Sequence, residues 1–208
     1  ALFIGLVIIP LRTVSVMGQS ALEGAFRLMR LTAAIPVGAV LGGILAARLG
    51  HRLPTILGLL MAAMAFYLMS RWGLDVQDPI MTAQLALCGL GFGLVIAPIA
   101  AAAVISVPDG DAGAAAALVT VMRMLGMTLG LATLSAWGVE QFQILTTGLE
   151  LPLPEPGEAT ELYRNRIMED QQRLNQAGLW LYQNFLRVAA GLAMVGILSA
   201  QAMGKEHR

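Results

Sequence analysis

Apolar residues run through this chain in six long blocks, separated by short polar breaks and one long polar stretch. Each block approaches the roughly 20 residues that a helix needs to cross a bilayer. Open strands cannot satisfy their backbone in lipid, so all six blocks are expected to be helices. The expected spans are about 1–18, 20–48, 53–72, 78–106, 112–138 and 177–203, with a polar loop over 140–176. Local chemistry marks their ends. Ser20 with Glu23 has the spacing of a capping box at the second span. Asp78-Pro79 reads as an N-cap followed by a first-turn proline at the fourth. Within the long loop, Leu151-Pro-Leu-Pro-Glu-Pro-Gly157 should be extended, and 159–176 is rich in helix formers, a surface helix leading into the last span. The fold expected is all-α and integral to a membrane: one bundle of six transmembrane helices.

Composition points the same way. The 208 residues are 57% hydrophobic and 12% charged, against about 25% charged in soluble domains. Mean hydropathy is +0.73. A formal net charge of zero and no long basic run argue against nucleic acid as a partner. With the single cysteine Cys88 inside a span and two isolated histidines, no disulfide framework, metal site or cofactor is expected. No catalytic constellation is visible, so an enzyme is not expected. The chain starts inside an apolar run, and its expected partners are the lipid bilayer and a missing upstream half of the same protein.

Charges and glycines inside the spans are the candidates for function. Arg27 and Arg30 share a face of the second span, and Arg123 falls near the middle of the fifth. An arginine at the bilayer centre costs roughly 2.5–3.5 kcal/mol even on lenient scales, so each should face a wet cavity or a partner. Every acidic residue lies in a loop or at a span end, so the expected counter-charge is a substrate or an absent segment. Gln84 and Thr120 complete the set of candidate cavity residues. Gly38 with Gly42, Gly89 with Gly93, and Gly126 with Gly130 have the small-xxx-small spacing that lets helix backbones approach. These six glycines are expected to mark the packed interior. The chain also divides into two triplets of spans in which Arg30 and Arg123 correspond, the arrangement of an inverted repeat.

The turn from Gly43 to Arg52 reads Gly-x-Leu-Ala-x-Arg-x-Gly-x-Arg, and its Gly43, Arg48, Gly50 and Arg52 resemble the loop signature of the major facilitator superfamily. The run Gly89-Leu-Gly-Phe-Gly93 to Pro98, then Val121-Met-Arg123-Met-Leu-Gly126 to Gly130, is similar to later spans of its fourteen-span drug:proton antiporters. Ala47 departs from the signature, which there carries an aspartate. The resemblance implies the C-terminal half of a multidrug efflux antiporter in the bacterial inner membrane. It further implies alternating access, with a small-molecule substrate exchanged for protons and the Arg48–Arg52 turn in the cytoplasm. The intramembrane arginines suggest a second reading, a transporter of an organic anion. A third, from another class, is a membrane scaffold that transports nothing.

Overall fold

The computed structural model describes residues 1, 2, 4–7, 9, 20–73, 76–108, 110–147 and 160–202. Five helices follow a helical stretch at the start of the chain. These are α1 (Ala21–Leu49), α2 (Arg52–Met69), α3 (Asp78–Ile105), α4 (Ala112–Thr146) and α5 (Thr160–Ala202). All five are long and apolar enough to cross a membrane. The protein is therefore a helical membrane protein among its described residues.

The ends of α1 follow local chemistry. Ser20 Oγ accepts from the Glu23 N–H at 3.3 Å, and Glu23 Oε2 accepts from the Ser20 N–H at 3.0 Å. That reciprocal pair satisfies two donors that the first turn leaves open. The other end stops at Gly50, whose φ of +78° suits a residue without Cβ, and whose N–H donates to Ala46 O at 3.0 Å. Only Gly50 and His51 separate α1 from α2. This short turn makes the two helices antiparallel.

At the start of α3 the structure departs from expectation. Gln77 is the N-cap residue, and Asp78 already belongs to the helix, with Pro79 beside it in the first turn. Asp78 thus keeps its carboxylate for other partners. A larger difference concerns the first part of the polar stretch over 140–176, whereas the helix expected over 159–176 is present. Helix α4 continues through Thr146, and α5 begins at Thr160 and runs unbroken to Ala202. Hydropathy detects the part of a helix that sits in lipid, whereas Glu, Leu, Arg and Gln favour helix in water as well. At 1.5 Å per residue, the 43 residues of α5 extend about 65 Å and the 35 of α4 about 52 Å. The hydrocarbon layer is roughly 30 Å thick, so both helices reach well beyond it. The proline-rich run 151–157, the first span's end over 11–19 and the tail 203–208 lie outside the described residues.

Helix α3 is central, packed along its length by α1 on one side and α2 on another, with α5 against α2. Helices α1 and α3 run parallel in a constant register. Arg30 meets Thr82, 52 residues later, and the same separation sets Gly38 against Leu90 and Gly42 against Leu94. A Cβ on Gly38 would collide with the Leu90 carbonyl, and one on Gly89 with the Leu31 carbonyl. Gly93 lies as tightly against Ile35, and Gly58 of α2 against Gly91. Backbones at this distance gain dispersion contact that no bulkier residue would allow. Phe66, Met69, Met81, Leu85 and Cys88 fill the core between α2 and α3. Helix α4 stands apart: Gly138 is its one buried residue among those described.

Candidate functional site

The thin attachment of α4 leaves a cavity of about 1740 Å³ between it, α3 and α5, with the start of the chain and Leu59 of α2 completing the wall. Helix α4 turns a stripe toward this space through Met122, Arg123, Gly126, Met127 and Gly130. Their spacing of three and four residues puts them on one helical face. A Cβ on Gly126 or Gly130 would meet nothing within 4 Å. The expectation that this pair brings two helices together therefore fails, and the two glycines form a smooth length of cavity wall instead. Helices α4 and α5 meet where Trp137 approaches Trp180 at 6.4 Å and Phe185 edge-on at 5.5 Å, the Phe185 ring lying over Gly138. The lining is dominated by Leu, Ile, Val, Met and Phe, and its few polar side chains include Arg123, Ser135, Gln143, Asn175 and Tyr182.

Arg123 is exposed on this face and has no ion-pair or hydrogen-bond partner among the described residues. Its guanidinium brings five N–H donors and no acceptor to an otherwise apolar space. Arg27 and Arg30 are placed differently. They lie in the N-terminal third of α1, level with the start of α3. Asp78 Oδ1 is 3.8 Å from Arg27 Nη2 and 3.7 Å from Arg30 Nη1, and Arg30 Nη1 donates to Thr82 Oγ1 at 2.7 Å. The expectation that no carboxylate of this chain faces these arginines is thus corrected. Asp78 supplies the counter-charge, because the parallel register carries the first residue of α3 past Arg27 and Arg30. Arg30 and Arg123, equivalent under the inverted repeat, have unlike surroundings.

Two other candidates lie away from the large cavity. Gln84 Oε1 accepts from the Trp72 indole N–H, while Gln183 Nε2 donates to Trp72 O at 3.2 Å. Gln84 therefore helps tie α3 to the end of α2, and through Trp72 to α5. Thr120 Oγ1 donates to Ala116 O at 3.0 Å within its own helix, a local bond common for threonine in apolar helices. In the Gly43–Arg52 turn, Gly50 closes α1, Gly43 is exposed with nothing near it, and Arg48 extends from the last turn of α1. A cation there complements the helix dipole. Arg52 begins α2. Among the described residues there is no cluster of His, Cys, Asp and Glu able to hold a metal.

Sequence reasoning missed Asp78, Trp72 and Gln183. The signal for Asp78 was present in the glycines: setting Gly38 and Gly42 against Leu90 and Leu94 also places Arg30 opposite Thr82, one helical turn from Asp78. Nothing comparable pointed to Gln183, 111 residues from Trp72.

No family model matches this chain. Among curated proteins it is similar to a triacylglyceride transporter of Mycolicibacterium smegmatis, 36% identical over 218 residues that cover 100% of this chain and 39% of that protein. A triacylglyceride transporter of Mycolicibacterium hassiacum is 38% identical over 208 residues, covering 94% of this chain and 39% of its own length. One from Mycobacterium tuberculosis is 34% identical over 220 residues, 100% of this chain and 42% of that protein. These matches overturn the drug:proton antiporter assignment drawn from the loop and glycine motifs, since relatives aligned over the whole chain are named for another cargo. The chain spans about two fifths of the length of the curated relatives it matches.

Proposed function

We propose that this chain is a membrane-embedded section of a transporter that carries triacylglycerides, or lipids of similar bulk and polarity, in a bacterial cytoplasmic membrane. The observation that carries this reading is the cavity of about 1740 Å³ between α3, α4 and α5. Pockets for drug-sized ligands occupy about 300–1,000 Å³, so this space suits a larger cargo. A triacylglyceride is three long alkyl chains joined by ester groups that accept hydrogen bonds and donate none. An apolar wall solvates the chains about as well as the bilayer does. Moving them between the two costs little, as suits a carrier that must also release its cargo. Arg123 supplies donors for the ester oxygens where an unpaired guanidinium would otherwise be costly.

The organic-anion reading loses part of its basis, because Asp78 faces Arg27 and Arg30 and neither arginine lines the large cavity. The names of the relatives agree with a lipid cargo and say nothing of its route through this chain. In the proposed role the chain performs no bond-making step; it holds, encloses and releases.

The test fills the cavity from the wall that has room. Gly126→Trp and Gly130→Trp, made in the full-length protein, place an indole on the wall where an added Cβ meets nothing within 4 Å. With normal amounts of protein in the membrane, triacylglyceride export by cells should fall about tenfold or more, the equivalent of at least ~1.4 kcal/mol. Unchanged export with both tryptophans in place would overturn the cavity as the cargo's path.

A further inference from the structure

A second cavity, of about 420 Å³, opens between the first three turns of α1 and the first residue of α3. It is lined by Glu23, Phe26, Arg27, Met29, Arg30 and Asp78. Two guanidiniums and two carboxylates therefore share one small space beside two apolar side chains. We infer that this notch binds the headgroup of an aminophospholipid, its phosphate on Arg27 and Arg30 and its ammonium between Glu23 and Asp78. The inference stands apart from the proposed cargo, because it concerns a different cavity and a charged lipid.

Three observations converge on it. The first is the balance of charge. A purely anionic ligand would meet Glu23 and Asp78, and a purely cationic one would meet the arginines, whereas a zwitterion of matching layout satisfies both pairs. The second is spacing. The Arg27–Asp78 and Arg30–Asp78 separations of 3.8 and 3.7 Å exceed the ~2.7–2.9 Å of a close charge-assisted hydrogen bond. Asp78 is also 66% exposed on its side chain, so a ligand ammonium can reach it. Glu23 uses Oε2 for the cap of α1, which leaves Oε1 for a second donor. Arg27 is only 8% exposed and holds its position at the back of the notch.

The third observation is depth. At the same end of the bundle, Arg71 Nη2 donates at 2.8 Å to the hydroxyl of Tyr67, which is half exposed, beside the buried Trp72. Tryptophan and tyrosine concentrate at the headgroup level of a bilayer. Below the notch, α1 leaves Val37, Val40 and Ile44 exposed, a continuous apolar strip along which acyl chains can lie. Phe26 and Met29, themselves exposed, join the headgroup cavity to that strip. A soluble zwitterion would use the charges and gain nothing from the strip.

The test compares headgroups on the full-length protein. After purification with a mixture of phosphatidylethanolamine, phosphatidylcholine and phosphatidylglycerol, native mass spectrometry reads which lipids stay bound. Phosphatidylethanolamine should be retained about tenfold over phosphatidylcholine, which has no N–H to donate, and over anionic phosphatidylglycerol. Glu23→Gln, which preserves a capping box, should erase the advantage over phosphatidylcholine. Arg30→Gln should weaken retention of all three, and Arg30→Lys should restore part of it. Equal retention of the three headgroups, a preference for phosphatidylglycerol, or a preference that survives both Glu23→Gln and Arg30→Gln would overturn the inference. So would displacement of the lipid by soluble glycerophosphoethanolamine at equal concentration, which would show that the acyl strip contributes nothing. Export of triacylglycerides is read separately, and none of these outcomes bears on it.

Discussion

Along the α1–α3 seam, Gly38, Gly42, Gly89 and Gly93 bring two backbones together, whereas Gly126 and Gly130 of α4, at the same spacing, look into open space. The sequence pattern is one and the same. Its outcome is decided by whether a second helix lies in parallel register with small residues of its own. On the seam, each helix offers two glycines to the other, and the approach is mutual. On α4 no such partner lies among the described residues, and the missing side chains widen a cavity. A small-xxx-small motif thus marks a helix face that carries little bulk, and only the surroundings decide whether that face becomes a joint or a wall.

Substituting the two kinds of glycine should separate joint from wall most sharply. In Gly89→Leu, the new Cβ meets the Leu31 carbonyl and lies 2.8 Å from Ala34 Cβ, both fixed by the helix they belong to. Overpacking of this kind costs about 1–3 kcal/mol and more where the backbone must move, so the upper end is expected. Gly126→Leu has space and exchanges a poor helix former for a good one, worth up to about 1 kcal/mol in favour of the folded state. Detergent unfolding of the full-length protein would read both. Equal destabilisation at the two positions would mean that α4 packs as closely as α1 does.

How much of this was legible in the sequence follows the range of the interactions. The start of α1 could be read, because a capping box spans three residues and needs no tertiary context. The presence of membrane helices could be read for a similar reason, since the bilayer acts on each segment separately. The extent of α4 could not, nor that α5 would run unbroken from its polar start, which helix formers already marked, into the last span. Their polar ends are helical without being buried in lipid, and a hydropathy pattern sees only the part that is. Arg30 shows the limit for sites. Its distance from the start of the span was visible, but its level in the membrane depends on where α3 begins beside it. That register sets Gly38 and Gly42 against Leu90 and Leu94, 52 residues away. Arg123 lies on the wall of the large cavity, whereas Arg27 and Arg30 line the smaller one beside Asp78.

A smaller effect should distinguish the polar bracing of the tight side. Gln84→Leu keeps the volume near Trp72 but removes the acceptor for its indole N–H. Loss of one such bond is worth about 1 kcal/mol, with the burial of Trp72 setting the upper end. The expected reading is a modest loss of stability with triacylglyceride export retained, because Gln84 does not line the large cavity. A collapse of export without loss of stability would instead give Gln84 a part in the transport path.

The smallest expected effect bears on what fixes the α1–α3 register. Both the glycine seam and the Arg27–Asp78–Arg30 group join the same two helices, and either could set their alignment. Asp78 is largely exposed and its ion pairs are long. Pairs of that kind contribute about 0–1 kcal/mol, because water screens them and ordering long side chains opposes them. A double-mutant cycle of Arg30→Gln and Asp78→Asn should therefore return a coupling below about 1 kcal/mol, well under the cost of Gly89→Leu. Were the coupling to exceed the glycine effect, the charges would be setting the register and the seam would merely accommodate it. The expected order puts the seam first. The arginines and Asp78 are then held in place by packing they do not themselves create.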